Sequence, residues 1–182
     1  MCNRKKLGVP IEAMVHVEHD PIAVYVMQWN HRDDGITHHY IKKFEDIYGD
    51  GTEPNESMIV QLLRVYGPFD LVTGAAPCHS LTGINASRNI HCDQAQYLAK
   101  TGKLIKRLDI VQHTNGIKNR VLFLSENVVF KESDKFDIHY SDKIHGLPAI
   151  RIDAKDFGPV KRNRLYWLNV RLVFHLLCHV LC

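Results

Sequence analysis

The sequence predicts an α/β fold built on an open sheet, and three observations carry this. Residues 69–73 form an apolar, β-branched run that reads as a buried strand, and residues 121–124 form a second one. Residues 56–66 place Met58, Ile59, Leu62, Leu63 and Tyr66 at helical spacing, a stripe that packs on a sheet. Residues 93–113 do the same with Leu98, Ile105, Leu108 and Val111. A length of 182 residues makes one domain the expectation, and a 45% hydrophobic content suffices for a core.

The remaining elements follow in chain order. Residues 1–14 read as the end of an amphipathic helix closed by Gly8 and Pro10. Residues 13–18 read as a strand ending in the acid Glu18, and a helix follows over 21–30, with Pro21 suited to its first turn. Residues 31–40 look polar and loop-like, 41–44 a short strand, and 48–55 a loop rich in Gly, Asp and Pro. The strand at 69–73 is expected to break at Gly74. Residues 134–140 read as a helix or turn, 149–154 as a strand, 157–160 as a turn and 164–170 as a last strand. No repeat or low-complexity segment is present.

Composition bounds the function. With 23 basic and 20 acidic residues the net charge is +3, compatible with a nucleic-acid partner without requiring one. Twelve histidines add positive charge as pH falls towards about 6. The five cysteines (Cys2, Cys78, Cys92, Cys178 and Cys182) show neither metal spacing nor a secreted-type framework. They read as reduced and intracellular, with no metal site expected. The Lys/Arg-rich start lacks the apolar segment of a signal peptide, and the apolar tail 172–182 is too short to span a bilayer.

The chemistry centres on the loop after the strand at 69–73, Gly74-Ala75-Ala76-Pro77-Cys78-His79-Ser80. Ligands of open α/β sheets sit beyond the carboxyl ends of the strands. A thiol placed there by a stiff proline is positioned as a nucleophile; a buried, inert cysteine is the alternative. Glu18, at the end of the first strand, suits either ribose hydroxyls or a helix cap. Arg162 and Arg164 stand one strand period apart. Residues 80–89, small and polar with Arg88, suit phosphate contacts or an ordinary solvated loop.

Pro77-Cys78, then Glu126-Asn127-Val128, then Arg162-x-Arg164-x-Tyr166, in that order, resemble the DNA cytosine-5 methyltransferases. Glu126-Asn127-Val128-Val129 with Ser133-Asp134-Lys135 and Asp137-Ile138, and Ile152-Asp153-Ala154-Lys155 before the arginine pair, look like the de novo branch of animals and protists. The resemblance covers roughly Leu7 to Asn169.

It implies a Rossmann-like class I S-adenosylmethionine-dependent methyltransferase fold and a DNA (cytosine-5-)-methyltransferase. The implied nucleophile is Cys78. Glu126 would hold the pyrimidine edge, Asn127 the loop backbone, and Arg162 and Arg164 the base carbonyl and the Glu126 orientation. S-Adenosylmethionine would be held by Glu18 and His19 at the ribose, Asp46 and Ile47 at the adenine, and Pro77 and Leu104, the last being as readily a core leucine. DNA is the implied partner, with a second methyltransferase chain the other, and the nucleus the implied location.

Against the family pattern, the glycine-rich first strand and the target-recognition region have no counterpart, and His79 stands where Gln or Asn is usual. The expectation is an incomplete catalytic domain over 1–170 and an unmatched apolar tail over 171–182. An unfilled sheet position beside Val72 and association with another chain would follow. Two further readings stay open: a catalytically inactive methyltransferase-like binding subunit, and a tRNA cytosine-5 methyltransferase. The Ser-Asp-Lys and Ile-Asp-Ala-Lys stretches favour DNA over tRNA.

Overall fold

A computed structural model describes residues 10–76, 93–129 and 142–169. The expected helix at 1–9, the loop from Pro77 through Cys78 and Arg88, the segment 134–140 and the tail 171–182 lie outside the described residues.

The order of elements is β1 (Ala13–Val17), α1 (Pro21–His31), β2 (Thr37–Ile41), α2 (Glu45–Tyr48), α3 (Glu56–Tyr66), β3 (Leu71–Ala75), α4 (Asp93–Thr114), β4 (Leu122–Val128), β5 (Ile150–Asp153) and β6 (Asn163–Leu168). The fold is mixed α/β. β1 and β2 pair in parallel as one two-stranded sheet. A second sheet has the order β3-β4-β6-β5; β3 and β4 are parallel, and β6 runs antiparallel to both β4 and β5. Among the described residues β3 therefore has one hydrogen-bonded neighbour, β4, and β1 has one, β2.

Local chemistry starts the helices. Asp20 caps α1 by accepting from the Ile22 backbone N at 2.8 Å, with Pro21 opening the first turn. Asn55 caps α3 by accepting from the Ser57 N at 3.0 Å. α3 and α4 bury the stripes read from the sequence. Ile59, Leu62, Leu104, Leu108 and Val111 form one cluster with Ile47, Tyr48 and Val121. Leu98, Ile105, Phe123, Val128, Leu165 and Trp167 form the other, and Val72 packs against both. α1 differs: none of its residues is buried, and Ile22, Tyr25, Val26 and Trp29 are exposed.

Several boundaries depart from the sequence reading. Residues 37–41 are strand β2 rather than loop, and the expected strand at 41–44 is absent. Thr37, Tyr40 and Ile41 carry β propensity that two histidines between them disguise, and pairing along β1 supplies the rest. α2 was not legible. Ala13 is already in a strand, so no helix extends to residue 14. β3 runs through Gly74 to Ala75 instead of breaking there. A Cβ on Gly74 would lie 2.8 Å from Thr101 Cγ2, so this glycine admits α4 rather than ending the strand. β4 likewise continues through Glu126 and Asn127 to Val128.

The turn from α4 into β4 is held by Asp109. Its Oδ2 accepts from Arg120 Nη2 at 2.8 Å and its Oδ1 from the Val121 backbone N at 2.9 Å. Burial alone would raise this carboxyl, but the Arg120 and Val121 bonds outweigh it and hold the pKa below the usual value. A depressed carboxyl stabilises fully above its unfolded pKa, and that stability is lost as pH falls through the folded value. Asp109→Asn is therefore expected to cost about 1 kcal/mol near neutral pH, discounted because Arg120 is exposed. The deficit should shrink in acid. Urea unfolding of both chains across pH checks this, and a deficit of the same size at both ends would contradict it.

Candidate active site

The residues read from the sequence divide by place. Glu18, His19, Asp46, Ile47, Glu126 and Asn127 stand near or beyond the carboxyl ends of strands, whereas Leu104 lies in α4 and Arg162 and Arg164 lie around the start of β6. Glu18 and His19 follow β1, Asp46 and Ile47 follow β2, and Glu126 and Asn127 lie near the end of β4. Ala75, the last residue of β3, is the register partner of Glu126. Pro77 and Cys78, which follow β3 in the sequence, fall outside the described residues.

Glu126 and Arg164 are brought together directly. Arg164 Nε lies 2.6 Å from Glu126 Oε1, and each side chain is 23% exposed. The antiparallel register makes this contact: Glu126 pairs with Tyr166 and Val128 with Arg164, so the two side chains meet diagonally on one sheet face. Arg164 Nη1 also donates to the Asn163 carbonyl at 2.8 Å, which fixes the fork. Arg162 is placed differently. It precedes β6, its side chain is exposed, and its backbone N donates to Asp153 Oδ1 at 3.0 Å.

Asn127 points to the opposite face and is fully buried. Its Oδ1 accepts from the Val128 backbone N at 2.8 Å, while its Nδ2 has no hydrogen-bond partner among the described residues. A buried, unpaired amide donor costs about 1–3 kcal/mol.

No protein-family model matches the chain. Among solved structures it is similar to an Escherichia coli crystal structure described as a "putative DNA modification methyltransferase encoded within prophage". The two are 20% identical, with a TM-score of 0.56 over 88% of this chain and 40% of that one. The likeness is one of fold. This chain spans two-fifths of the length of that one.

The expected cofactor residues form separate groups. Glu18 Oε1 accepts from the Asp20 backbone N at 2.9 Å and lies 3.3 Å from His19 Nδ1, with His19 largely exposed. Asp46 is exposed at the rim of a recess of about 210 Å³ walled by Ile41, Ile47, Met58, Leu62 and Tyr66. Ile47 and Leu104 are buried together in the α3–α4 core, where Leu104 packs as a core leucine. An exposed carboxylate over an apolar wall fits a purine with an exocyclic amine. A partly exposed Glu18 fits ribose hydroxyls. A wider cleft of about 440 Å³ is lined by Arg151, Asp153, Lys155, Asp156, Lys161 and Asn163; Asp153 and Lys155 belong to the Ile152–Lys155 stretch of the resemblance, and none of the six is an expected catalytic or cofactor residue.

The sequence reading missed a polar cluster at the start of β2. His31 Nδ1 lies 2.8 Å from Asp34 Oδ2, and His38 Nε2 lies 3.2 Å from each Asp34 oxygen. His16 Nε2 lies 2.8 Å from His38 Nδ1. Burial first, then His38 and His31, hold the His16 imidazole below the ordinary histidine value, against an opposing pull from Asp34. The available signal was the spacing His31-x-x-Asp34-x-x-x-His38 in a histidine-rich chain. Among the described residues no helix is long and apolar enough to cross a membrane.

Proposed function

We propose that the chain is a DNA (cytosine-5-)-methyltransferase using S-adenosylmethionine, with residues 1–170 as a Rossmann-like catalytic domain, 171–182 as a tail, and a nuclear location. The observation that carries this reading is the Glu126–Arg164 ion pair, set in register with the end of the strand that leads into Pro77-Cys78. The methyltransferase-like fold supports it. Acting on DNA is taken from the family resemblance and from the description of the structural neighbour.

The residues divide the chemistry as follows. The Cys78 thiolate adds to carbon 6 of a cytosine turned out of the duplex, forming a carbon–sulfur bond and pushing electron density to carbon 5. Glu126, in its protonated form, donates to ring nitrogen 3, which makes carbon 6 electrophilic, and Arg164 keeps that carboxyl in place. Arg162 and Arg164 supply positive charge for the base carbonyl and for thiolate formation. When bound, S-adenosylmethionine supplies an electrophilic methyl group. Glu18, His19, Asp46, Ile47 and Pro77 are the residues assigned to it, and Leu104, buried in the core behind Ile47, backs the recess without lining it. Loss of the carbon 5 proton then expels the thiolate and restores the aromatic ring.

A second reading rests on a different observation. Among the described residues β3 and β1 each have one unpaired edge, and Leu71, Leu122, Leu124 and Ile150 are exposed on the sheet. A parallel sheet is normally covered and closed. On this reading the chain is a binding subunit that joins another methyltransferase, and an unfilled strand position lies beside Val72.

Calorimetric titration of the chain with S-adenosylmethionine separates the readings. The enzyme reading expects saturable heat, diminished in Asp46→Asn and Glu18→Gln, and methyl transfer to cytosine-containing DNA. Absence of both heat and transfer would overturn it and leave the binding subunit.

A further inference from the structure

The handover from α1 to β2 gathers two imidazoles and a carboxylate from three different backbone settings. His31 ends α1, Asp34 sits in the connection, and His38 is the second residue of β2. We propose that His31, Asp34 and His38 bind a divalent first-row transition-metal ion such as zinc, with His16 supporting His38 from behind.

The donor set suits such an ion, because imidazole nitrogen and carboxylate oxygen are its borderline ligands. The distances suit it too. Bonds of about 2.0 Å in a tetrahedral site put ligand atoms roughly 3.3 Å apart. Here the His31–Asp34 and His38–Asp34 separations are 2.8 and 3.2 Å, and all three ligand atoms lie within 4.8 Å of one another. Entry of an ion requires the Asp34 contacts to open by a few tenths of an ångström and the histidines to draw in.

Orientation is prepared as well. Asp34 Oδ1 accepts from the Ile36 backbone N at 2.9 Å, which fixes the carboxylate. The His31 and His38 rings stack with centroids 4.8 Å apart. Both imidazoles bind as neutral rings, with the proton on the far nitrogen. For His38 that nitrogen is Nδ1, 2.8 Å from His16 Nε2, so the metal-bound form donates to His16. A metal-bound histidine ordinarily has an acceptor in that place.

Access is graded. His38 and Asp34 are 9% and 18% exposed, and His31 is 31% exposed, so solvent reaches the site past His31 and can fill the remaining coordination positions. The cluster lies towards the amino-terminal end of β2, whereas Glu18 and Asp46 follow the carboxyl ends of β1 and β2. The ion ties α1 to β2, keeps a solvent-filled position, and stands independently of the methyltransferase reading.

The test is titration of the full chain with Zn²⁺ against a chromophoric chelator, and with Co²⁺ for its spectrum. One equivalent should bind, with visible cobalt bands of nitrogen and oxygen ligation and no thiolate charge-transfer band, which sets this site apart from the five cysteines. His31→Gln and Asp34→Asn should each weaken Zn²⁺ by about 100-fold or more, and His16→Gln by about 10-fold. His39→Gln, whose ring faces Tyr66 at 4.8 Å, should match the parent. Far-ultraviolet circular dichroism checks that each variant folds. If Asp34→Asn does not, His31→Gln carries the test, since its side chain is the most exposed of the three. No saturable binding, a thiolate band, or parent affinity in His31→Gln would each overturn the assignment.

Discussion

Incubated with DNA carrying 5-azacytosine, the chain is expected to form a covalent adduct that survives denaturing electrophoresis. The azacytosine ring is electrophilic enough at carbon 6 for direct thiolate attack, and nitrogen at position 5 blocks the normal release step. The adduct should be absent from Cys78→Ser, because the alcohol is far less ionised and less nucleophilic than a thiol. Glu126→Gln keeps the shape but removes the carboxyl from ring nitrogen 3, and should slow trapping by roughly 10²-fold or more. Arg164 contacts Glu126 at 2.6 Å, so Arg164→Met should slow trapping through loss of that orientation. A band that persists in Cys78→Ser would remove Cys78 as the nucleophile. No band from the parent chain would favour the binding-subunit reading.

The largest stability effect is expected at Trp167. It is fully buried on β6 against Leu98, Ile105, Phe123, Val128 and Leu165. Its Nε1 donates to Asp142 Oδ1 at 2.7 Å, and His145 stacks on its ring at 5.0 Å. Truncation removes both the packing and the hydrogen bond. Trp167→Ala should cost about 3–5 kcal/mol, comparable with much of a small domain's total stability. Trp167→Phe keeps most of the packing, and Asp142 Oδ1 still accepts from the Ala149 backbone N at 2.9 Å. It should cost about 1–2 kcal/mol. Urea unfolding followed by circular dichroism measures both. A loss below about 1 kcal/mol for Trp167→Ala would contradict the packing account.

Elements whose energies are local can be read from the chain alone. α3 and α4 were legible because their apolar spacing repeats every turn, and Asp20 and Asn55 reach only two residues ahead to cap α1 and α3. The apolar centres of β3 and β4 were legible for the same reason, as was the order of the Pro-Cys, Glu-Asn-Val and Arg-x-Arg motifs. Only the tertiary structure decided the rest. β2 is a strand because β1 lies beside it, although His38 and His39 mask its pattern. Gly74 stays in β3 because Thr101 of α4 presses on it, a contact that no local rule contains. Spacing cannot tell a core leucine from a ligand contact; the meeting of α2, α3 and α4 buried Leu104. Arg162 and Arg164 looked equivalent until β6 began between them and the β4–β6 register gave Glu126 to Arg164. In the same way, His16 joined His31, Asp34 and His38 only through the β1–β2 pairing. Capping and helical periodicity depend on near neighbours in the chain, whereas register, close approach and side-chain clusters depend on residues far apart in it.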